Sequence, residues 1–152
     1  HIYIYEQGGA ATLGGSHPRV LPTLPDGTLG LSAMEAAFRS DDPHFPVSRL
    51  VCLEDTHNLC GGRVLRPDYV QEVASLAQTK GCALHIDGAR VWHAAEFLGL
   101  PLDQVCPGAN SLSVCLSKAI GAPAGSVVVG DSAFIAKARR LRKALGGGMR
   151  QS

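Results

Sequence analysis

Apolar and β-favouring residues recur in short runs at positions 1–5, 19–24, 49–53, 83–86, 111–116 and 126–129. Runs this short, bounded by Gly, Pro, Asp or Asn, predict strands. Between several of them the apolar spacing becomes helical. Ser32, with Glu35 at the capping-box position, predicts a helix running through Phe38. Pro67 stands at a helix start, and Val70, Val73, Ala74 and Ala77 form an apolar stripe that Gly81 ends. Residues 90–98 predict a short helix stopped by Gly99 and Pro101. Residues 131–145 predict a longer one, with Phe134, Ile135, Ala138, Leu141 and Leu145 on one face and a glycine stop at 146–148. Strands alternating with helices imply an α/β domain with a largely parallel sheet. "PTLPDGT" (22–28) and "DDPHFP" (41–46) have the composition of turn-forming loops.

Composition narrows the choices. A chain of 152 residues, 45% hydrophobic, is the size of one domain and can build a real core. Its net charge of +1, with acids and bases intermixed, argues against nucleic acid or an anionic membrane as partner. The basic cluster "KARRLRK" (137–143) carries no interleaved aromatics and reads as one face of an amphipathic helix. No apolar run reaches membrane-spanning length. Five scattered cysteines without a C-x-x-C favour a reducing compartment, with Cys52, Cys82 and Cys115 as core strand residues, over disulfides or zinc. His1 already lies inside an alternating pattern and the sequence stops just past a helix, so a segment of a longer protein is expected.

In open parallel sheets the ligand crevice lies outside the carboxyl ends of the strands. Two residues meet that positional test. "ALHIDGAR" (83–90) is a short apolar strand ending in Asp87, and "CLSKAIGAPAGS" (115–126) places Lys118 after another, among small residues that cannot cover its amine. A lysine and an aspartate on neighbouring strand ends have a joint use. The lysine captures an aldehyde cofactor, pyridoxal phosphate, while the aspartate keeps the pyridine nitrogen protonated. Spacing alone leaves alternatives open: a structural ion pair, an N-cap role for Asp87, or a solvated loop lysine. Glu54, Asp55 and His57 lack a second His or Cys group at ligand spacing, which disfavours a metal; Thr56 to Asn58 reads as a loop beside the site. "EQGGAATLGG" (6–15) fits neither a nucleotide P-loop nor a dinucleotide fingerprint and reads as a close-packing helix or turn.

The stretches "HIDGAR", "CLSKAIGAPAGS" and "LRKALGGGMRQS", with "EQGGAATLGG", "DDPHFP" and "LEDTHNLCGGRVL" before them, closely resemble the low-specificity threonine aldolases, over essentially the whole chain. These belong to the aspartate-aminotransferase fold group of pyridoxal-phosphate enzymes. The resemblance implies that residues 1–152 are part of a PLP-dependent transferase-like large domain, without its N-terminal phosphate-gripping segment or the small C-terminal domain. It implies Lys118 as the residue bound to the cofactor, Asp87 at the pyridine nitrogen and His1 stacked on the ring. Arg90 would hold the substrate carboxylate or the cofactor's phenolic oxygen, and His44 would handle the substrate β-hydroxyl. Lys143 and Arg150 would face a neighbouring subunit's site in a homodimer or homotetramer. Many relatives carry asparagine where Asp55 stands. The implied activity is cleavage of threonine or allo-threonine to glycine and acetaldehyde, in the cytosol, with a mitochondrial location left open. A catalytically silent remnant serving as an interaction module, or another pyridoxal-phosphate lyase, are the competing readings.

Overall fold

Four strands lie side by side in chain order: β1 (Leu50–Glu54), β2 (Ala83–Asp87), β3 (Ser111–Cys115) and β4 (Ser126–Gly130). In this computed structural model, which describes residues 1–150, β1, β2 and β3 are parallel and β4 pairs antiparallel with β3. Parallel neighbours need crossovers. Helix α3 (Pro67–Thr79) supplies the first, and α4 (Val91–Leu98) with the short α5 (Leu102–Val105) the second. Two further helices, α1 (Gly9–Thr12) and α2 (Leu31–Ala37), precede the sheet, and α6 (Ser132–Ala144) follows it.

The crossover helices form where the sequence places them, for identifiable reasons. Pro67 occupies the first turn of α3, where a missing N–H costs nothing. Val70, Val73, Ala74 and Ala77 are its buried residues, matching the predicted stripe. Gly99 takes the left-handed conformation that ends α4. The Asp131 carboxylate caps α6 by accepting the Phe134 N–H at 2.7 Å.

Three local expectations are corrected. Residues 1–5 form a turn, not a strand: the N–H groups of Ile4 and Tyr5 both donate to the His1 carbonyl, and Tyr3, Ile4 and Tyr5 are exposed. Residues 19–24 contribute only an isolated bridge, Thr23 to Leu29, in a segment punctuated by Pro18, Pro22 and Pro25. Gly30, not a serine, is the N-cap of α2, and Ser32 lies inside the helix without capping it. The loop around Leu29 is instead fastened by Tyr69, whose hydroxyl donates to the Leu29 carbonyl and accepts its N–H, both at 2.9 Å.

Residues paired across a ladder point to the same side, so the register divides the sheet into two faces. Val51 and Leu53, Leu84 and Ile86, and Leu112 and Val114 share one face. With α3 covering β1 and β2, and α4 and α5 covering β3, this face carries the core. It continues to Val127 and Val129 of β4, where it opens into an apolar groove of about 450 Å³ that Trp92 and Leu102 also line. The opposite face holds Cys52 and Glu54, His85 and Asp87, and Ser111 and Ser113.

Candidate active site

The carboxyl ends of β1, β2 and β3 meet in one row. Glu54 is in register with Asp87, and Asp87 with Ser113, so the three side chains stand on the same face at the end where the parallel strands stop. The Asp87 backbone is fixed by its neighbours, since its carbonyl accepts the Asp55 N–H at 2.8 Å. Next to it, the Gly88 N–H donates to the Ser113 carbonyl at 2.8 Å. A Cβ at Gly88 would lie 3.3–3.4 Å from Val91, Leu112 and the Ser113 carbonyl, so the close approach of β2 to β3 here favours glycine. One Asp87 carboxylate oxygen accepts the Ala89 N–H at 3.2 Å; the other has no hydrogen bond among the described residues.

Lys118 lies three residues beyond β3, in the 116–125 loop that turns the chain back into β4. That loop is closed at its base, where the Leu116 N–H donates to the Gly125 carbonyl and the Ala122 N–H to the Leu116 carbonyl, each at 3.0 Å. The Gly121 N–H also donates to the carbonyl of Lys118 itself, at 3.0 Å. Gly125, at φ 114°, supplies a conformation that side-chain-bearing residues rarely adopt. The lysine is exposed, and among the described residues no carboxylate lies within ion-pair distance of its amine. The structural Asp87–Lys118 ion pair is therefore not formed.

His1 joins the row from the other end of the sequence. Its Nδ1 lies 2.8 Å from Glu54 Oε1, its Nε2 3.3 Å from the Asn58 amide nitrogen, and its ring 4.8 Å from that of Tyr5. Glu54 Oε1 also accepts the Asn58 N–H at 3.0 Å. Arg90, at the N-cap of α4, is half-buried and three residues past Asp87; among the described residues it forms no ion pair.

The remaining predicted residues stand apart. The His44 side chain is 88% exposed, and among the described residues it bonds only Asp42, Nδ1 to Oδ1 at 2.8 Å. That hydrogen bond and the one from the His44 backbone N–H hold the Asp42 carboxyl below its ordinary pKa. Lys143 lies in the last turn of α6, and Arg150 beyond it; both are exposed. Two grooves also lie elsewhere. The apolar one runs beneath β3 and β4, and a polar one of about 640 Å³ is lined by Asp26, Arg63, Arg66, Asp68 and Glu72 among others.

Behind the row, on the apolar side of the sheet, sits Asp55. It is 0% exposed, with Oδ1 accepting the Leu65 N–H at 3.1 Å and Oδ2 lacking any partner among the described residues. Burial pushes its pKa up to about 6. The Cys106 thiol nearby is pushed up to about 12 by burial and, secondarily, by the Asp55 charge, while burial and the Asp87 charge raise Cys52 to about 11. Neither thiol is a nucleophile at neutral pH. On the polar face, burial lowers the pKa of His85, whose Nδ1 lies 2.8 Å from the Ser111 hydroxyl.

Sequence reasoning selected Asp87 and Lys118 as strand-end residues; the structure places Asp87 at the end of β2 and Lys118 in the loop three residues beyond β3. It missed Glu54 as a partner of His1, although Glu54 closes an apolar strand just as Asp87 does and the same positional test selects it.

The chain is similar to known proteins along its whole length. It is 50% identical over 155 residues to low-specificity L-threonine aldolase 1 of Arabidopsis thaliana, covering 99% of this chain and 43% of that protein. It is 41% identical over 152 residues to the low specificity L-threonine aldolase of Escherichia coli K12, covering all of this chain and 45% of that protein. The chain thus spans under half the length of these curated relatives. Among solved structures, a protein described as an L-allo-threonine aldolase from Listeria monocytogenes superposes with a TM-score of 0.82 at 26% identity, over 97% of this chain and 39% of the other. A threonine aldolase from Leishmania major gives 0.74 at 24% identity, over 96% and 42%, a likeness of fold. The beta-eliminating lyase family depends on pyridoxal phosphate. The family model for beta-eliminating lyases matches residues 1–152 from end to end, and the strand-end carboxylates and loop lysine lie within a chain that belongs to that family.

Proposed function

We propose that the protein containing this chain is a threonine aldolase: it cleaves the Cα–Cβ bond of threonine or allo-threonine, releasing glycine and acetaldehyde. The observation that carries the reading is the Glu54–Asp87–Ser113 row at the ends of the parallel strands, followed by a lysine whose amine meets no carboxylate among the described residues. The donor set suits pyridoxal 5'-phosphate. Asp87 has a carboxylate oxygen with no hydrogen bond among the described residues to accept a ring N–H, Lys118 has an amine able to bond an aldehyde carbon, and His1 brings an aromatic ring to the same row. When bound, the cofactor serves as a sink for the electron pair left on Cα.

The chain's own residues do the rest. Lys118 anchors the cofactor and yields its place to the substrate amine. The Asp87 carboxylate holds a proton on the pyridine nitrogen, which keeps the ring electron-poor. Arg90 binds the substrate carboxylate through its guanidinium fork. His44 takes the β-hydroxyl proton, directly or through a water; its exposed loop supplies the imidazole but no second wall of the site. In a homodimer or homotetramer, Lys143 and Arg150 reach toward a neighbouring subunit's site. Residues 1–152 then form part of the cofactor-binding large domain. No described helix is long and apolar enough to cross a membrane, and the proposed location is the cytosol.

The test is optical and chemical. Full-length protein mixed with pyridoxal phosphate is expected to develop a visible absorption band that Lys118→Ala abolishes, and to release acetaldehyde from threonine. A folded full-length protein that develops no such band overturns the reading.

A further inference from the structure

We infer that Glu54, assisted by Asn58, is a positioning residue that locks the His1 imidazole into one orientation and one tautomer, with the proton on Nδ1. Three contacts surround the ring. A carboxylate oxygen lies 2.8 Å from Nδ1, an amide NH₂ lies 3.3 Å from Nε2, and the Tyr5 ring tilts at 34° against it with centroids 4.8 Å apart. An ionised carboxylate can only accept, so Nδ1 must donate. The Asn58 NH₂ can only donate, so Nε2 must accept. Both conditions hold for a single species, the neutral Nδ1–H imidazole.

This is the less common tautomer of a free histidine side chain, so the protein has to impose it. Glu54 is placed to do so. Its side chain is 10% exposed, it ends β1 in register with Asp87, and the same Oε1 is tied to the Asn58 N–H at 3.0 Å. The carboxylate therefore cannot swing away without breaking the turn that follows the strand. Bonds at both ring nitrogens oppose rotation about the Cβ–Cγ bond, and the Tyr5 ring lies against the imidazole. Two carboxylates on adjacent strand ends thus have separate tasks: Asp87 serves a ligand nitrogen, and Glu54 serves the histidine beside it. The purpose assigned to the lock, presenting a ring face to the cofactor, rests on the function proposed above; the lock itself does not.

One competing contact needs a control. The α-amino group of His1 also donates to Glu54, to Oε2 at 3.0 Å. Long-range ¹H–¹⁵N NMR of histidine-labelled, cofactor-free protein at mildly alkaline pH reads the tautomer directly. The expected result is an Nδ1–H His1 in the full-length protein, whether the His1 main-chain nitrogen is there an ammonium or a peptide amide. Glu54→Ala is expected to shift His1 to the Nε2–H form, and Glu54→Gln, whose amide oxygen still accepts, to keep Nδ1–H, with melting temperatures following neither change. An Nε2–H His1 in the full-length protein overturns the inference, as does a full-length Glu54→Ala protein that retains Nδ1–H. Because the measurement uses no cofactor, its failure is separate from a failure to bind pyridoxal phosphate.

Discussion

The two faces of the sheet do different work with the same backbone. On one, Val51, Leu53, Leu84, Ile86, Leu112 and Val114 pack beneath the crossover helices. On the other, residues one step along the same strands are Glu54, His85, Asp87, Ser111 and Ser113. Alternation at a period of two lets adjacent residues serve opposite ends: one side holds the fold together and the other leaves polar groups facing outward at the strand termini. Stability and chemistry are separated by a single Cα–Cβ direction. They should therefore be separable by mutation.

The largest expected effect is on the polar face. Asp87→Asn in the full-length protein should lower kcat for threonine cleavage by roughly two to four orders of magnitude, the range seen when a positioned proton-holding group is lost. The melting temperature should barely move, and a collapse of stability instead would dissolve the distinction between the faces. On the apolar face, Ile86→Ala should behave the opposite way. Deleting a fully buried side chain from the centre of the sheet costs about 2–5 kcal/mol in chemical denaturation, while the Asp87 backbone keeps its bonds.

Asp55 sharpens the comparison because it is a carboxylate on the wrong side. Its pKa in the fold, about 6, lies above the ordinary 3.8, so the native state favours the protonated acid. Its contribution to stability is then fully present below about pH 4 and is lost as pH rises through about 6. Asp55→Asn, which cannot ionise, should raise stability by about 1–2 kcal/mol at pH 8 and change it little at pH 4. Thermal melts at the two pH values read the difference; an equal shift at both would show that packing, not charge, governs the site. The smallest effect belongs to neither face. Asp131→Ala removes the cap of α6 and should cost about 1 kcal/mol, leaving cofactor binding unchanged.

The sequence was most readable where a pattern is enforced locally. The stripe of α3, bounded by Pro67 and Gly81, and the apolar strand ending at Asp87 are each specified by neighbours within a few positions, and both are found as expected. Residues 1–5 misled for a physical reason. Alternation shows that successive side chains differ in character, but a strand also needs a partner for its amides, and here those amides turn back on the His1 carbonyl. Gly30 displaced Ser32 as a cap because the loop fastened by Tyr69, forty positions away, decides where α2 can begin. Glu54 was obscured in the same way, since its partner lies at the far end of the chain. Contacts across such distances leave no local periodicity to read.

The loop that bears Lys118 is tied at its neck, with Leu116 bonded to both Gly125 and Ala122. An amine mounted this way resembles a crane on a bolted footing. Its four methylenes then supply most of the reach, from a backbone held by those bonds. Under the function proposed above, the aldehyde that Lys118 captures would be met at one address in every turnover, so each cycle would end where the next begins.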